Sequence, residues 1–127
     1  MGCKKLGLVL GAGSARGLAH IGVIQVLQEE AIPIDLVVGS SMGAVIGACY
    51  AAGTDMYLLP KLIAEMNFNQ LIDMQIPRKG FIAGNRIQEL IKILTHGKNF
   101  DQLSIPLAVL ATDLEAGKRV VFQDGPV

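Results

Sequence analysis

Leu36-Val37-Val38-Gly39-Ser40-Ser41-Met42-Gly43-Ala44-Val45-Ile46-Gly47-Ala48 runs from an apolar strand through a sharp turn into a helix of small and apolar residues. Gly39, Ser41 and Gly43 spell G-x-S-x-G, the pattern of a nucleophile elbow. Such an elbow holds its serine on a strained turn, so that the hydroxyl stands clear of the sheet. Glycines two before and two after permit the turn, because a Cβ at either place would crowd the neighbouring strand or helix. A helix starting just after Ser41 turns its free N–H groups and the positive end of its dipole toward the hydroxyl. That arrangement favours a developing alkoxide or oxyanion.

Working outward, Leu6–Leu10 predicts a buried strand, Gly11–Gly17 a loop and Leu18–Glu30 a helix. The helix carries Leu18, Ile21, Ile24 and either Val26 or Leu27 at three- and four-residue steps. Leu36–Val38 then predicts a second strand, parallel to the first in a βαβ unit. Met42–Ala52 is the elbow helix, with Gly53 as its C-cap. Tyr57–Met66 predicts another helix with Pro60 in its first turn. Asn67–Ala83 reads as irregular, with Gly80 and Gly84 as breakers. Asn85–Leu94 is amphipathic, with Ile87, Leu90, Ile91 and Leu94 on one face and Gly97 as its end. Leu107–Thr112 is a third buried strand, and Ala116-Gly117-Lys118 turns it into a fourth, Arg119–Phe122.

Alternating strands and helices predict an α/β fold, a mostly parallel sheet sandwiched by helices. Functional residues then belong at the carboxyl ends of the strands. The Gly11–Gly17 loop and Ser41 both lie there, on adjacent strands, so two anion-friendly turns converge on one spot.

Two chemistries compete for the Gly11–Gly17 loop. A dinucleotide fingerprint is G-x-G-x-x-G. Gly11, Gly13 and Gly17 give G-x-G-x-x-x-G, one residue too long, and Asp35 precedes the second strand instead of ending it. The alternative is an oxyanion hole, in which preorganised N–H donors hold the charge that builds on an ester carbonyl; losing one donor costs about 3–4 kcal/mol of barrier. Ala12, Gly13 and Ser14 are placed to supply such donors. Arg16 adds a permanent positive charge, suited to a substrate phosphate or to holding the loop.

At 127 residues the chain is one domain or a piece of one. A chain of this size buries roughly two thirds of its unfolded surface, enough for a core without staples. Its 51% hydrophobic content suits a buried parallel sheet. Eleven basic and eleven acidic residues balance, with no long charge run, which excludes the basic footprint of a nucleic-acid partner. Cys3 and Cys49 lack framework spacing, fit a reducing compartment and read as small hydrophobes. Met1–Lys5 followed by Leu6–Leu10 is like the start of a short signal peptide, but the apolar run breaks at Gly11. Leu6 stands where a myristoylation signal needs Ser or Thr. The uncharged run Leu36–Thr54 is long enough to span a bilayer, yet its four glycines and two serines divide it at the elbow. His20 reads as a packed or hydrogen-bonded residue and His96 as a helix-end cation. Neither has metal-ligand spacing, and no metal or cofactor is expected.

Leu10-Gly11-Ala12-Gly13-Ser14-Ala15-Arg16-Gly17-Leu18-Ala19-His20-Ile21-Gly22-Val23 resembles the opening block of patatin-like phospholipases. The spacing to Gly39-Ser40-Ser41-Met42-Gly43 resembles it too, and Ala111-Thr112-Asp113-Leu114 with Gly117 resembles a later block, especially of the bacterial branch. The resemblance implies a serine lipid acyl hydrolase, a phospholipase or esterase with a Ser–Asp dyad and no catalytic histidine. By match, Ser41 is the nucleophile, and Ala12, Gly13, Ser14 and Arg16 lie in the oxyanion block. Ala12 and Ser14 stand where many members carry glycine; backbone donors survive that change.

The family's aspartate lies in a D-G-G or D-G-A turn well after the strand near Val109. Here the only Asp-Gly is Asp124-Gly125, followed by Pro126. Residues 1–127 are therefore expected to be the amino-terminal portion of one patatin-like domain, truncated before the catalytic aspartate and impaired in hydrolysis alone. Asp113 reads as structural. Two other readings stand beside hydrolysis: a serine acyltransferase, and a non-catalytic lipid-binding or regulatory homologue. The partner is a lipid or ester substrate. The Asn67–Ala83 segment, with Ile76, Arg78, Lys79, Phe81 and Ile82, is either a lipid-facing lip or an ordinary loop. The expected location is cytoplasmic, with peripheral contact at the inner membrane surface. Head group, chain length and oligomeric state are left open.

Overall fold

The computed structural model describes residues 4–65 and 80–127, with only the backbone course for 80–86. Four short apolar runs make one sheet: β1 (Gly7–Leu10), β2 (Leu36–Ser40), β3 (Leu107–Asp113) and β4 (Lys118–Phe122), in that spatial order. β1, β2 and β3 are parallel, and β4 returns antiparallel beside β3. Leu10 pairs with Gly39, and Ser40 with Leu110, so β1, β2 and β3 run in step toward one edge. The α/β class and the mostly parallel sheet are as the sequence predicts.

The helices are α1 (Ala19–Glu29), α2 (Met42–Ala52), α3 (Leu59–Glu65) and α4 (Gly80–Leu94). Right-handed crossovers between strands laid down in one direction put α1 and α2 on the same face of the sheet. Leu10, Val37 and Leu107 point into that face and join Ile21, Ile24 and Ile46 in one core. α2 presses closest: a Cβ on Gly47 would stand 2.9 Å from Val37 Cγ1. Each fully buried aliphatic side chain contributes about 1.5–3 kcal/mol. Alternation sends Val9, Val38, Leu110 and Val121 to the opposite face, where Val9 is 73% exposed. Among the described residues, the apolar core is built on one face only.

Gly53 caps α2 in the left-handed conformation, with Thr54 N–H returning to the Cys49 carbonyl, as read from sequence. α3 begins at Leu59, two residues later than expected. The Asp55 carboxylate accepts from the Tyr57 and Leu58 N–H groups and holds them in a turn. Met66 lies outside the described residues. α1 buries Ile21 and Ile24, with Leu27 half-buried and Val26 54% exposed, which settles the choice between those two.

Larger departures from expectation lie at β2, the glycine loop and α4. β2 continues through Gly39 and Ser40, because parallel pairing to Val109 and Leu110 carries the strand up to the elbow. The second half of the predicted Gly11–Gly17 loop is a 3-10 helix, Ser14–Leu18, which leads directly into α1. α4 begins at Gly80, so Gly80 and Gly84 do not break it; a helical glycine costs only about 1 kcal/mol against alanine, and Leu90 and Leu94 repay it by burial. Ile87, predicted on the buried face, lies at its edge, 36% exposed. Residues 66–79, including the Ile76, Arg78 and Lys79 of the expected lip, lie outside the described residues, as do the side chains of Phe81 and Ile82. No helix among the described residues is long and apolar enough to cross a membrane.

Candidate active site

Ser41 sits between β2 and α2 with φ 52° and ψ −126°. A serine in that region costs of order 1–3 kcal/mol, and such strain persists only where the surroundings impose it. Here they do. A Cβ on Gly39 would lie 2.5 Å from Ala44 Cα, and one on Gly43 would lie 2.1 Å from the Leu10 carbonyl oxygen. Both glycines of the motif are thus fixed by backbone contacts that no side chain fits. The Ser41 residue is exposed, and its carbonyl accepts from Ala44 and Val45 to open the helix. Among the described residues, the Met42 and Gly43 N–H groups donate to no backbone carbonyl, as expected at the positive end of α2.

The first loop is locked onto the elbow. A Cβ on Gly17 would stand 2.6 Å from Met42 Cβ, and one on Gly43 would stand 2.6 Å from the Gly11 carbonyl oxygen. The two residues after the serine therefore touch both ends of the Gly11–Gly17 stretch. Gly13 is extended, and Ser14 is left-handed at φ 47°. That conformation is natural for glycine, which accounts for the glycine often found at this place in the block it resembles. Among the described residues, the N–H groups of Ala12, Gly13 and Ser14 donate to no backbone carbonyl. Ala12, Ser14 and Arg16 are exposed, and Gly13 is half-buried.

Sequence reading left His20 without an assigned partner. Its Nε2 lies 2.9 Å from the Gly11 carbonyl, and because a carbonyl can only accept, that nitrogen carries the proton. The ring thus holds the start of the loop to the start of α1. His96 ends α4 with φ 57°, beside Gly97. Asp113 is structural, its Oδ1 accepting from the Glu115 and Ala116 N–H groups, each at 3.0 Å, in the β3–β4 turn. Asp124 lines an apolar pocket with Ala44, Val45 and Phe122 and is not in the groove at Ser41. Asp35 lies at the opposite end of the strands from the glycine loop, bonded to Leu6 N–H at 2.7 Å, which removes the ribose-binding role. Cys49 is fully buried, and burial pushes its thiol up to about 12. No metal-ligating cluster forms among the described residues.

Ser41 opens onto a groove of about 570 Å³, lined also by Ser40, Leu110, Ala111, Thr112 and Arg119. Sequence reading missed Arg119. It is 78 positions from Ser41, and only the strand register brings the two to one groove.

Residues 8–125 match the patatin-like phospholipase family. An uncharacterized NTE family protein of Mycobacterium tuberculosis is 40% identical over 125 residues, 97% of this chain and 35% of that protein. Neuropathy target esterase sws of Drosophila persimilis is 34% identical over 128 residues, 96% of this chain and 9% of the esterase. A patatin-like phospholipase domain-containing protein of Caenorhabditis elegans is 34% identical over 129 residues, 96% of this chain and 10% of that protein. The chain thus spans about a third of the length of its mycobacterial relative and about a tenth of the two animal ones. These likenesses run through β1, the elbow and the β3–β4 hairpin, well beyond the serine motif, and the chain belongs to the patatin-like phospholipase family of lipid hydrolases.

Proposed function

We propose that this chain carries the nucleophile and the oxyanion-binding part of a serine lipid acyl hydrolase. Ser41 Oγ attacks the carbonyl carbon of an ester, its proton passes to a general base, and the carbonyl oxygen becomes an oxyanion. The N–H groups of Ala12, Gly13 and Ser14 receive that charge, with Met42 N–H and the α2 dipole on the other side. Arg16 adds a permanent positive charge to the loop, for a substrate phosphate or for holding the loop. The alcohol leaves, and water hydrolyses the acyl–Ser41 ester. The base is an aspartate outside residues 1–127, forming a Ser–Asp dyad; Asp113 is committed to its turn and Asp124 lines another pocket. Residues 1–127 are on this reading the amino-terminal portion of the catalytic domain. Two thiols without framework spacing support a cytoplasmic setting, with peripheral contact at the inner membrane surface where lipid is met.

The observation that carries the reading is the strained, exposed conformation of Ser41 at the mouth of α2, locked to the glycine loop. A fluorophosphonate probe on the full-length protein is expected to label Ser41 and no other serine. Absence of labelling, together with ester turnover unaltered by Ser41→Ala, would overturn it.

A further inference from the structure

We infer that Lys98 is a positioning residue for Ser41, acting on it through α2 from the far end of that helix. This rests on the hydrolase reading of Ser41.

The inference begins with the four carbonyls that a helix leaves unpaired in its last turn. In α2 they belong to Cys49, Tyr50, Ala51 and Ala52, and each has a partner. Thr54 N–H donates to Cys49 and Gly53 N–H to Tyr50, within the turn that ends the helix. Ser104 N–H donates to Ala51 at 2.9 Å. Lys98 Nζ donates to Ala52 at 2.8 Å. Of these four donors, Lys98 alone is a side chain and alone carries charge. At the other end, the Met42 and Gly43 N–H groups donate to no backbone carbonyl among the described residues. The negative end of α2 is thus closed by a cation, and its positive end is left open beside Ser41.

Lys98 is itself held. Gly97, left-handed at φ 61°, turns the chain back after α4. Lys98 N–H donates to the Thr95 carbonyl and Val127 N–H to the Lys98 carbonyl, each at 3.2 Å. Thr95 is fully buried, and the Thr54 hydroxyl donates to the Leu94 carbonyl, tying the end of α2 to the end of α4.

The helix needs such a hold. Most of its buried residues are small: Gly43, Ala44, Gly47, Ala48, Ala51 and Ala52. They let α2 press against the sheet but give it few ridges to interlock, so packing resists a slide along the axis only weakly. A slide or tilt moves the N–H groups at the mouth of the helix, and a donor shifted from the oxyanion's position loses much of its effect. Eleven residues at 1.5 Å each put Lys98 about 16 Å from the elbow, so it works through the helix and touches neither Ser41 nor substrate.

The test uses the full-length protein and p-nitrophenyl butyrate, an uncharged ester. Lys98→Met keeps the stem and drops the ammonium. It is expected to lower kcat, and the rate at which a fluorophosphonate labels Ser41, three- to tenfold with KM unaltered; Lys98→Arg is expected to recover most of both. A cap that served stability alone would lower Tm and leave kcat and labelling of the folded protein at wild-type values. That result, or a change confined to KM, or an equal loss in Lys98→Arg, overturns the inference. Lys98→Gln, polar at this half-buried place, takes over the comparison if the methionine variant does not fold. If the wild-type protein neither hydrolyses the ester nor takes the probe, the hydrolase reading fails separately, and NMR then decides. Amide proton shifts of Met42 and Gly43 that move in Lys98→Met and return in Lys98→Arg support the inference; changes confined to residues 51–54 overturn it.

Discussion

Gly43 lies so close to Leu10 that a Cβ would come within 2.1 Å of the Leu10 carbonyl oxygen. The obstacle is main chain in a paired strand, which cannot step aside as the end of a side chain would. Gly43→Ala is therefore expected to cost at least the 1–3 kcal/mol typical of overpacking and to slow fluorophosphonate labelling of Ser41. Urea unfolding of the full-length variant checks the first effect and labelling rate the second. Wild-type values for both would contradict the clash.

Ser41 pays for its own placement. At φ 52° and ψ −126° a glycine is at ease and a Cβ is not. Ser41→Gly is expected to be more stable than Ser41→Ala by about 1 kcal/mol, after allowing for the glycine's larger unfolded-state entropy, while both lose labelling. Equal midpoints in denaturant would show that the backbone strain is absent.

The His20 ring ties the Gly11 carbonyl to the first turn of α1. His20→Phe fills a similar space without the N–H donor. It is expected to cost about 1 kcal/mol of stability and to slow Ser41 labelling several-fold, because the loop's amides lose their anchor. Lowered stability with an unchanged labelling rate would separate the ring from the loop's geometry.

Cys49 gives the clearest pH prediction. Burial raises its pKa from 9.0 to about 12. Its contribution to stability is fully present below pH 9, because both states then keep the proton. Between 9 and 12 the unfolded chain releases the proton and the native one does not, so stability falls as pH rises, by at most about 1.4 kcal/mol per pH unit. Cys49→Ala should flatten this part of the unfolding curve. An unchanged slope would assign the loss to other groups.

Much of this was legible because apolar runs of four to seven residues, bounded by glycine or proline, can hardly be anything but strands in a chain this size. Leu107–Asp113 and the Gly117 turn are instances. The elbow was legible from three residues. What escaped depended on partners far along the chain. Gly39 and Ser40 joined β2 through pairing with β1 and β3, and Gly84 stayed helical in a helix whose Leu90 and Leu94 pack into the core. Ser14–Leu18 escaped because glycine-rich sequence fixes little before Met42 fills the space above Gly17. Arg119 escaped because a charge on an alternating strand looks like ordinary solvent exposure until the sheet is assembled.

The mutual fit of Gly17 with Met42, and of Gly43 with Gly11, also governs how the protein tolerates redesign. Neither turn has a shape of its own to export. A graft of residues 11–17 into another scaffold would arrive without the methionine that moulds it, and a reshaped elbow would displace the donors meant to serve it. The heritable unit is the pair.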